Sequence, residues 1–358
     1  MIDTSATLTF HIIYTPGSVQ HLLPLVSTLL RHSKCHYRLV ANGCSPDEIA
    51  HMERYAEQSG RLSVVILPAK QQVNHGVALT QLFARSSDPY FCFMDSDILA
   101  AGDFMAELQP LLSAAAGVFS AWPLMVRNQE KVLQADHKYI GGHHLATPTG
   151  VCLGGSYFAM YQRAALTAAM QYAPAGFCVS YRRQLPWATR VLLKRVGQER
   201  LFYDTGRLLN LILIDQGYLL RTLETDRLCH IGSYSMLTQQ VSQPPPASPF
   251  SVRMSSRRVA KQLVRAVKEV INGQSYRRWV NRQLFDVSQK QQKRQLRREV
   301  SLYFSALLQA LAEGTTPPAM VVLNDPEFDP RIQRATDLLL AAWGDIDMNG
   351  KQGKGTRH

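Results

Sequence analysis

The sequence predicts an α/β fold: a mainly parallel sheet flanked by helices, followed by an all-helical extension. Three observations predict it. Between Leu8 and Met94, strand-like apolar runs alternate with amphipathic helical stretches, the pattern of βαβ units with right-handed crossovers. The run Tyr90-Phe91-Cys92-Phe93-Met94 is apolar throughout rather than alternating, as a strand covered on both faces must be. Beyond Pro244-Pro245-Pro246 the pattern becomes wholly helical and strongly basic.

Leu8 to Tyr14 reads as the first strand, closed by the turn residues Thr15-Pro16-Gly17. Val19 to His32 carries Leu22, Leu23, Val26, Leu29 and Leu30 at helical spacing. Tyr37 to Ala41 is a second strand, ending in Asn42-Gly43. Ser45-Pro46-Asp47-Glu48 opens a helix, with serine as cap, proline in the first position and acids at the positive end. That helix should close near Gly60. Leu62 to Leu67 is a third strand, Gly76 to Ser86 a helix and Tyr90 to Met94 the fourth strand.

A helix is expected from Asp103 to Ala115 and a strand from Val118 to Ala121. Residues 129–150 are polar and read as a long loop. Val151 to Tyr161 is strand-like but broken by Gly154-Gly155, which suits close approach of a ligand or another backbone. Arg163 to Gln171 and Arg207 to Gln216 read as helices. The chain divides into an α/β domain (1–243), a proline-rich linker (244–250), a basic helical region (251–345) and a disordered tail (346–358).

Bulk properties narrow the function classes. The 46% hydrophobic content supports a sizeable core. The six cysteines are scattered with no Cys-x-x-Cys pair, so they read as free thiols in a reducing compartment rather than a zinc site or disulfide frame. There is no leader-like N-terminus and no bilayer-length apolar run, so a cytoplasmic protein is expected, peripheral at most on the inner face of the membrane. Residues 253–299 hold fourteen Lys or Arg against three acids, nearly the whole of the chain's +12 charge. Three readings stay open for this segment: a solvated face packed on the main domain, an anionic membrane surface, or nucleic acid. Few aromatics interleave with its charges, which disfavours nucleic acid.

The chemistry concentrates at Asp95-Ser96-Asp97. Two carboxylates one residue apart at the carboxyl end of a buried strand repel one another unless a cation lies between them. Hard oxygen ligands there suit Mn²⁺ or Mg²⁺ with a polyphosphate. The plainer reading is a turn, because Asp and Ser are good turn residues. Asp204 has two readings as well, a cap on the helix after it or a catalytic acid. His230, in an apolar setting, is either a structural histidine or a ligand.

In order, the motifs resemble those of GT-A glycosyltransferases, the nucleotide-sugar-dependent transferases with one Rossmann-like sheet. The resemblance covers roughly Thr7 to Ser235. Phe93-Met94-Asp95-Ser96-Asp97 is similar to the family's Asp-x-Asp signature. Tyr14-Thr15 and Asn42 end strands where the family holds the nucleoside, and Asn74-His75-Gly76 resembles its Asn-x-Gly helix opening. Gly154-Gly155-Ser156 resembles its acceptor-side segment. Asp204-Thr205-Gly206 falls where a catalytic acid is expected, and His230 resembles the late histidine that completes the metal shell. The Glu-Asp pair usual in inverting family-two-like enzymes is absent before the Asp204 helix, and so is Gln-x-x-Arg-Trp.

The resemblance implies a donor site of Tyr14, Thr15, Asn42, Asn74, Gly76, Asp95 and Ser96. It implies a metal held by Asp95, Asp97 and His230, with Asp204 as general base in an inverting transfer. The partners implied are a nucleotide-sugar, UDP-sugar foremost, and a glycan or lipid-linked acceptor. Two alternatives belong to other classes: a nucleotidyltransferase, and a non-catalytic binding protein on the same fold. The first would want a basic glycine-rich loop after the first strand, which Thr15-Pro16-Gly17-Ser18 is not.

Overall fold

The computed structural model describes residues 8–68, 71–120, 145–146, 152–153, 157–196, 202–203, 205–223, 225, 227–231, 298–300, 302–311, 313–324 and 329–352. Its first half follows the expected alternation. It runs β1 (Thr9–Tyr14), α1 (Val19–Leu22), α2 (Val26–His32), β2 (His36–Ala41), α3 (Pro46–Ala56), β3 (Leu62–Ile66), α4 (His75–Arg85) and β4 (Tyr90–Asp95). The single helix expected over Val19–His32 is instead two, joined by a 3₁₀ turn at Leu23–Leu25. Pro24 explains the break: it lacks an N–H, and its ring crowds the carbonyl four residues back. The opening of α3 is a full capping box, in which Ser45 Oγ accepts from Glu48 N while Glu48 accepts from Ser45 N.

Then come β5 (Ile98–Ala100), α5 (Met105–Leu112), β6 (Gly117–Ser120), the short pair β7 (Leu145–Ala146) and β8 (Cys152–Leu153), β9 (Phe158–Gln162) and α6 (Arg163–Met170). Asp103 lies outside α5 and caps it, its carboxylate accepting from Met105 N at 3.0 Å. Of the strand expected over Val151–Tyr161, β8 and most of β9 fall within the described residues. An arm not anticipated from sequence holds β10 (Ser180–Tyr181), α7 (Trp187–Arg195) and β11 (Phe202–Tyr203). The chain continues through α8 (Arg207–Asp215), β12 (Leu220–Leu223), β13 (Leu228–His230), a helical stretch over 302–311, and α9 (Asp329–Gln352). The last helix runs past the 345 boundary expected for the basic region. The linker and the run 253–297 lie outside the described residues.

Seven strands form one mixed, mainly parallel sheet in the order β12-β6-β9-β4-β1-β2-β3. β9 alone is antiparallel to its neighbours, β4 and β6. Strand periodicity sends alternate side chains to opposite faces, and both faces are buried. Phe10, Ile12, Tyr14, Tyr37, Leu39, Cys92 and Met94 pack in one cluster; Ile13, Val40, Phe91, Phe93 and Tyr161 pack in the other. This is why the β4 run is apolar at every position. The first cluster also takes in Tyr303, Phe304, Leu307, Leu308, Ile332, Ala335 and Leu339. The apolar stripes of the C-terminal helices therefore pack on the main body's core. Cys35, Cys44, Cys92, Cys178 and Cys229 are free thiols. Among the described residues, no helix is long and apolar enough to cross a membrane.

Candidate active site

The sheet order makes a site before any side chain is considered. From β1 the chain steps outward to β2 and β3, then returns to place β4 on the other side of β1. In an open parallel sheet this reversal opens a crevice at the strands' carboxyl ends. Tyr14 ends β1, Asn42 comes directly after β2, and Asp95 ends β4 opposite Ile13 of β1.

Asp95-Ser96-Asp97 turns the chain from β4 into β5, and β5 pairs antiparallel with β13, Ile98 opposite His230. Backbone bonds extend the pairing at both ends, Ile231 N to Asp97 O at 3.0 Å and Ala101 N to Arg227 O at 2.8 Å. A residue more than a hundred positions away is thus carried to the aspartates. His230 Nε2 lies 3.0 Å from Asp97 Oδ1 and 3.5 Å from Asp95 Oδ2. One ligand atom from each of the three lies within 4.8 Å of the others. Tyr157 stacks on the imidazole, centroids 4.4 Å apart and 8° from parallel, and Tyr157 O accepts from Asp95 N. Asp97 is buried, whereas the Asp95 side chain is partly exposed.

Burial disfavours an imidazolium at His230, but the charges of Asp97 and Asp95 outweigh it and raise the pKa to about 10. The Asp97 contact is an ion pair, and the polar contacts to both carboxylates add to the rise. A buried imidazole nitrogen facing two carboxylates is what a cation-ligand set looks like when a proton stands in for the ion. Two carboxylates and one imidazole fit Mn²⁺ or Mg²⁺.

The other expected site residues fall into distinct settings. Asn42 is buried, and its side chain is bound twice to Val73: Nδ2 donates to Val73 O and Oδ1 accepts from Val73 N, each at 2.9 Å. It clamps the loop before α4 to the end of β2. Gly43 beside it has φ +76°, and a Cβ there would lie 2.3 Å from Gln72 N. Gly76 lies in the first turn of α4 where the chain at Phe177–Cys178 crosses it, leaving a Cβ only 2.6 Å from Phe177 O. Asn74 is exposed, and its side chain does not cap α4. The ring of Tyr14 is wholly inside the first core cluster. Thr15 and Ser96 are buried.

Gly206, at φ +73°, occupies the N-cap position of α8, a left-handed conformation that suits glycine. Asp204 itself lies outside the described residues, as do Gly154, Gly155 and Ser156. Tyr157, which sequence reasoning missed, is the stacking partner of His230. The nearest signal was its place directly after the Gly-Gly-Ser segment.

No protein-family model and no curated protein matches the chain. Solved structures similar to it include the glycosyltransferase GlyE of Streptococcus pneumoniae, at 11% identity and TM-score 0.35 over 61% of this chain. They also include the mannosyltransferase PcManGT of Pyrobaculum calidifontis in complex with GDP-Man and Mn²⁺, at 13% identity and TM-score 0.39 over 98%. A third is the 4-diphosphocytidyl-2C-methyl-D-erythritol synthase of Anaerococcus prevotii, at 11% and 0.38 over 66%. The chain spans 45%, 76% and 99% of these three in turn. At these TM-scores the likenesses carry no argument about activity.

Proposed function

We propose that the chain is a metal-dependent glycosyltransferase. It would move a sugar from a nucleotide-sugar, a UDP-sugar foremost, to a hydroxyl of a cell-surface glycan or its lipid-linked precursor, with inversion. The observation that carries this reading is the Asp95–Asp97–His230 group at the reversal of a mainly parallel sheet. A divalent ion held there supplies positive charge against the diphosphate leaving group. Asp97 and His230 would hold it, and stacking on Tyr157 fixes the orientation of the imidazole. Asp95 faces the crevice and the donor.

Asn74, exposed at the opening of α4, is a donor-side contact. Asn42, committed to Val73, holds that opening in place. Gly154-Gly155-Ser156 form the acceptor side. Asp204 takes the proton from the acceptor hydroxyl as it attacks the anomeric carbon. A nucleotidyltransferase is disfavoured at the turn after β1, where Gly17 N donates to the carboxylate of Glu48 at 2.7 Å. An acid stands where a triphosphate-binding loop wants a base.

Calorimetric titration with UDP, with and without Mn²⁺, tests the reading. Binding should require the ion and fall by about a hundredfold or more in Asp97→Ala. If UDP, GDP and CDP all fail to bind in the presence of Mn²⁺, the proposal is overturned.

A further inference from the structure

The arm between α6 and α8 presents a surface that glycosyl transfer does not account for. From Gln171 to Val196 there is no acidic residue and there are five Lys or Arg. Five large apolar side chains in this short stretch are exposed: Tyr172, Val179, Tyr181, Trp187 and Val191. Trp187 is 73% exposed, an extreme position for the largest side chain.

The pattern on α7 is ordered. Thr189, Leu192 and Leu193 are buried and hold the helix to the second core cluster and to Tyr172 O, which accepts from Thr189 Oγ1 at 2.6 Å. On the opposite face, Trp187, Arg190, Val191 and Lys194 stand at i, i+3, i+4 and i+7, and all four are exposed. Arg195 is paired with Asp215. Arg183, Arg190 and Lys194 remain exposed beside the aromatics.

Exposed apolar surface ringed by one sign of charge marks an interaction site. Tryptophan and tyrosine are the side chains that settle at a bilayer's headgroup level, with Lys and Arg meeting anionic lipid. Val179 and Val191 can enter lipid but cannot stack on bases, which favours a membrane over single-stranded nucleic acid. The arm also borders the crevice: Phe177–Cys178 crosses the opening of α4 at Gly76, Phe177 O accepts from Gly206 N, and β10 pairs with β11.

We infer that the face formed by Trp187, Val191, Arg183, Arg190 and Lys194, with Tyr181, docks on an anionic phospholipid surface. The crevice rim is thereby set against the bilayer. Delivery of a lipid-linked acceptor across that rim rests on the transferase reading; membrane docking itself does not.

Sedimentation of the full chain with vesicles of phosphatidylcholine, alone or mixed with phosphatidylglycerol, tests this. Wild type should bind the anionic vesicles and not the neutral ones. The triple variant Arg183→Glu/Arg190→Glu/Lys194→Glu should lose at least about tenfold in partition, and Trp187→Ala should weaken it as well. Quenching of tryptophan fluorescence by brominated lipid should drop in Trp187→Phe. Asp97→Ala should partition as wild type does, so loss of the nucleotide reading leaves this result standing. Equal binding of the triple variant and wild type would assign any membrane affinity to residues 253–299 and overturn the inference. A triple variant that instead loses single-stranded oligonucleotide, with no preference for anionic vesicles in wild type, would overturn it too.

Discussion

At the scale of single residues, the protein's most telling group is His230. Two carboxylates hold its pKa near 10, so at neutral pH the metal-free site carries an imidazolium. A cation can bind only by displacing that proton. Titration of Mn²⁺ into the protein at pH 7, in buffers of different ionisation enthalpy, should therefore report release of close to one proton per ion. Apparent affinity should rise by about tenfold per pH unit through neutrality. His230→Gln, which has no proton to lose, should bind more weakly and release none. The same shift sets a pH dependence of stability. Because the folded pKa lies above the unfolded value of 6.5, the contribution is fully present below pH 6.5. It is lost as pH rises toward 10.

At the scale of elements, the crevice is framed by two close backbone approaches rather than by propensity. Asn42 and Gly43 lock the end of β2 to the loop before α4, and Gly76 lets the arm cross the first turn of α4. Gly43→Ala should be costly for two reasons: φ +76° strains any L side chain, and the new Cβ would meet Gln72 backbone that cannot rotate away. A loss of about 2 kcal/mol or more is expected in denaturant unfolding. Gly217→Ala, at a similar φ with nothing nearby, should cost only the strain, about 1–2 kcal/mol. Equal losses at the two sites would remove the close approach as the reason for Gly43. Pro24 is the opposite case, where a local rule fragments an element that periodicity alone reads as continuous.

For the whole molecule, the C-terminal helices share a core with β1 and β4. Phe304, wholly buried, lies in the same cluster as Phe10, Tyr37 and Met94. Phe304→Ala should destabilise by about 3–5 kcal/mol. It should also lower a single cooperative unfolding transition, seen alike by far-UV dichroism and by tryptophan fluorescence. Two separated transitions would mean that the C-terminal helices unfold as a body of their own. The stripes at Tyr303–Leu308 and Ile332–Leu339 are thus part of the main fold, while the basic positions between Arg253 and Arg297 lie outside the described residues.

Features that arise from periodicity and local chemistry are legible in the chain alone. The βαβ alternation, the doubly covered β4, the capping box of α3 and the placement of Asp95 and Asp97 at a strand's end are all written in neighbouring residues, because each depends on spacing along one segment. Features that join segments far apart in the chain emerge only on folding. The three-residue β5 is too short to show a period, yet its pairing with β13 carries His230 to the aspartates. Tyr157 enters the site through the antiparallel insertion of β9 beside β4. The two hydrogen bonds that commit Asn42 to Val73, and the tryptophan that α7 leaves facing outward, become legible only once the faces are assigned. A helix pattern shows which side is apolar, but only packing shows which apolar residues find no partner within the fold.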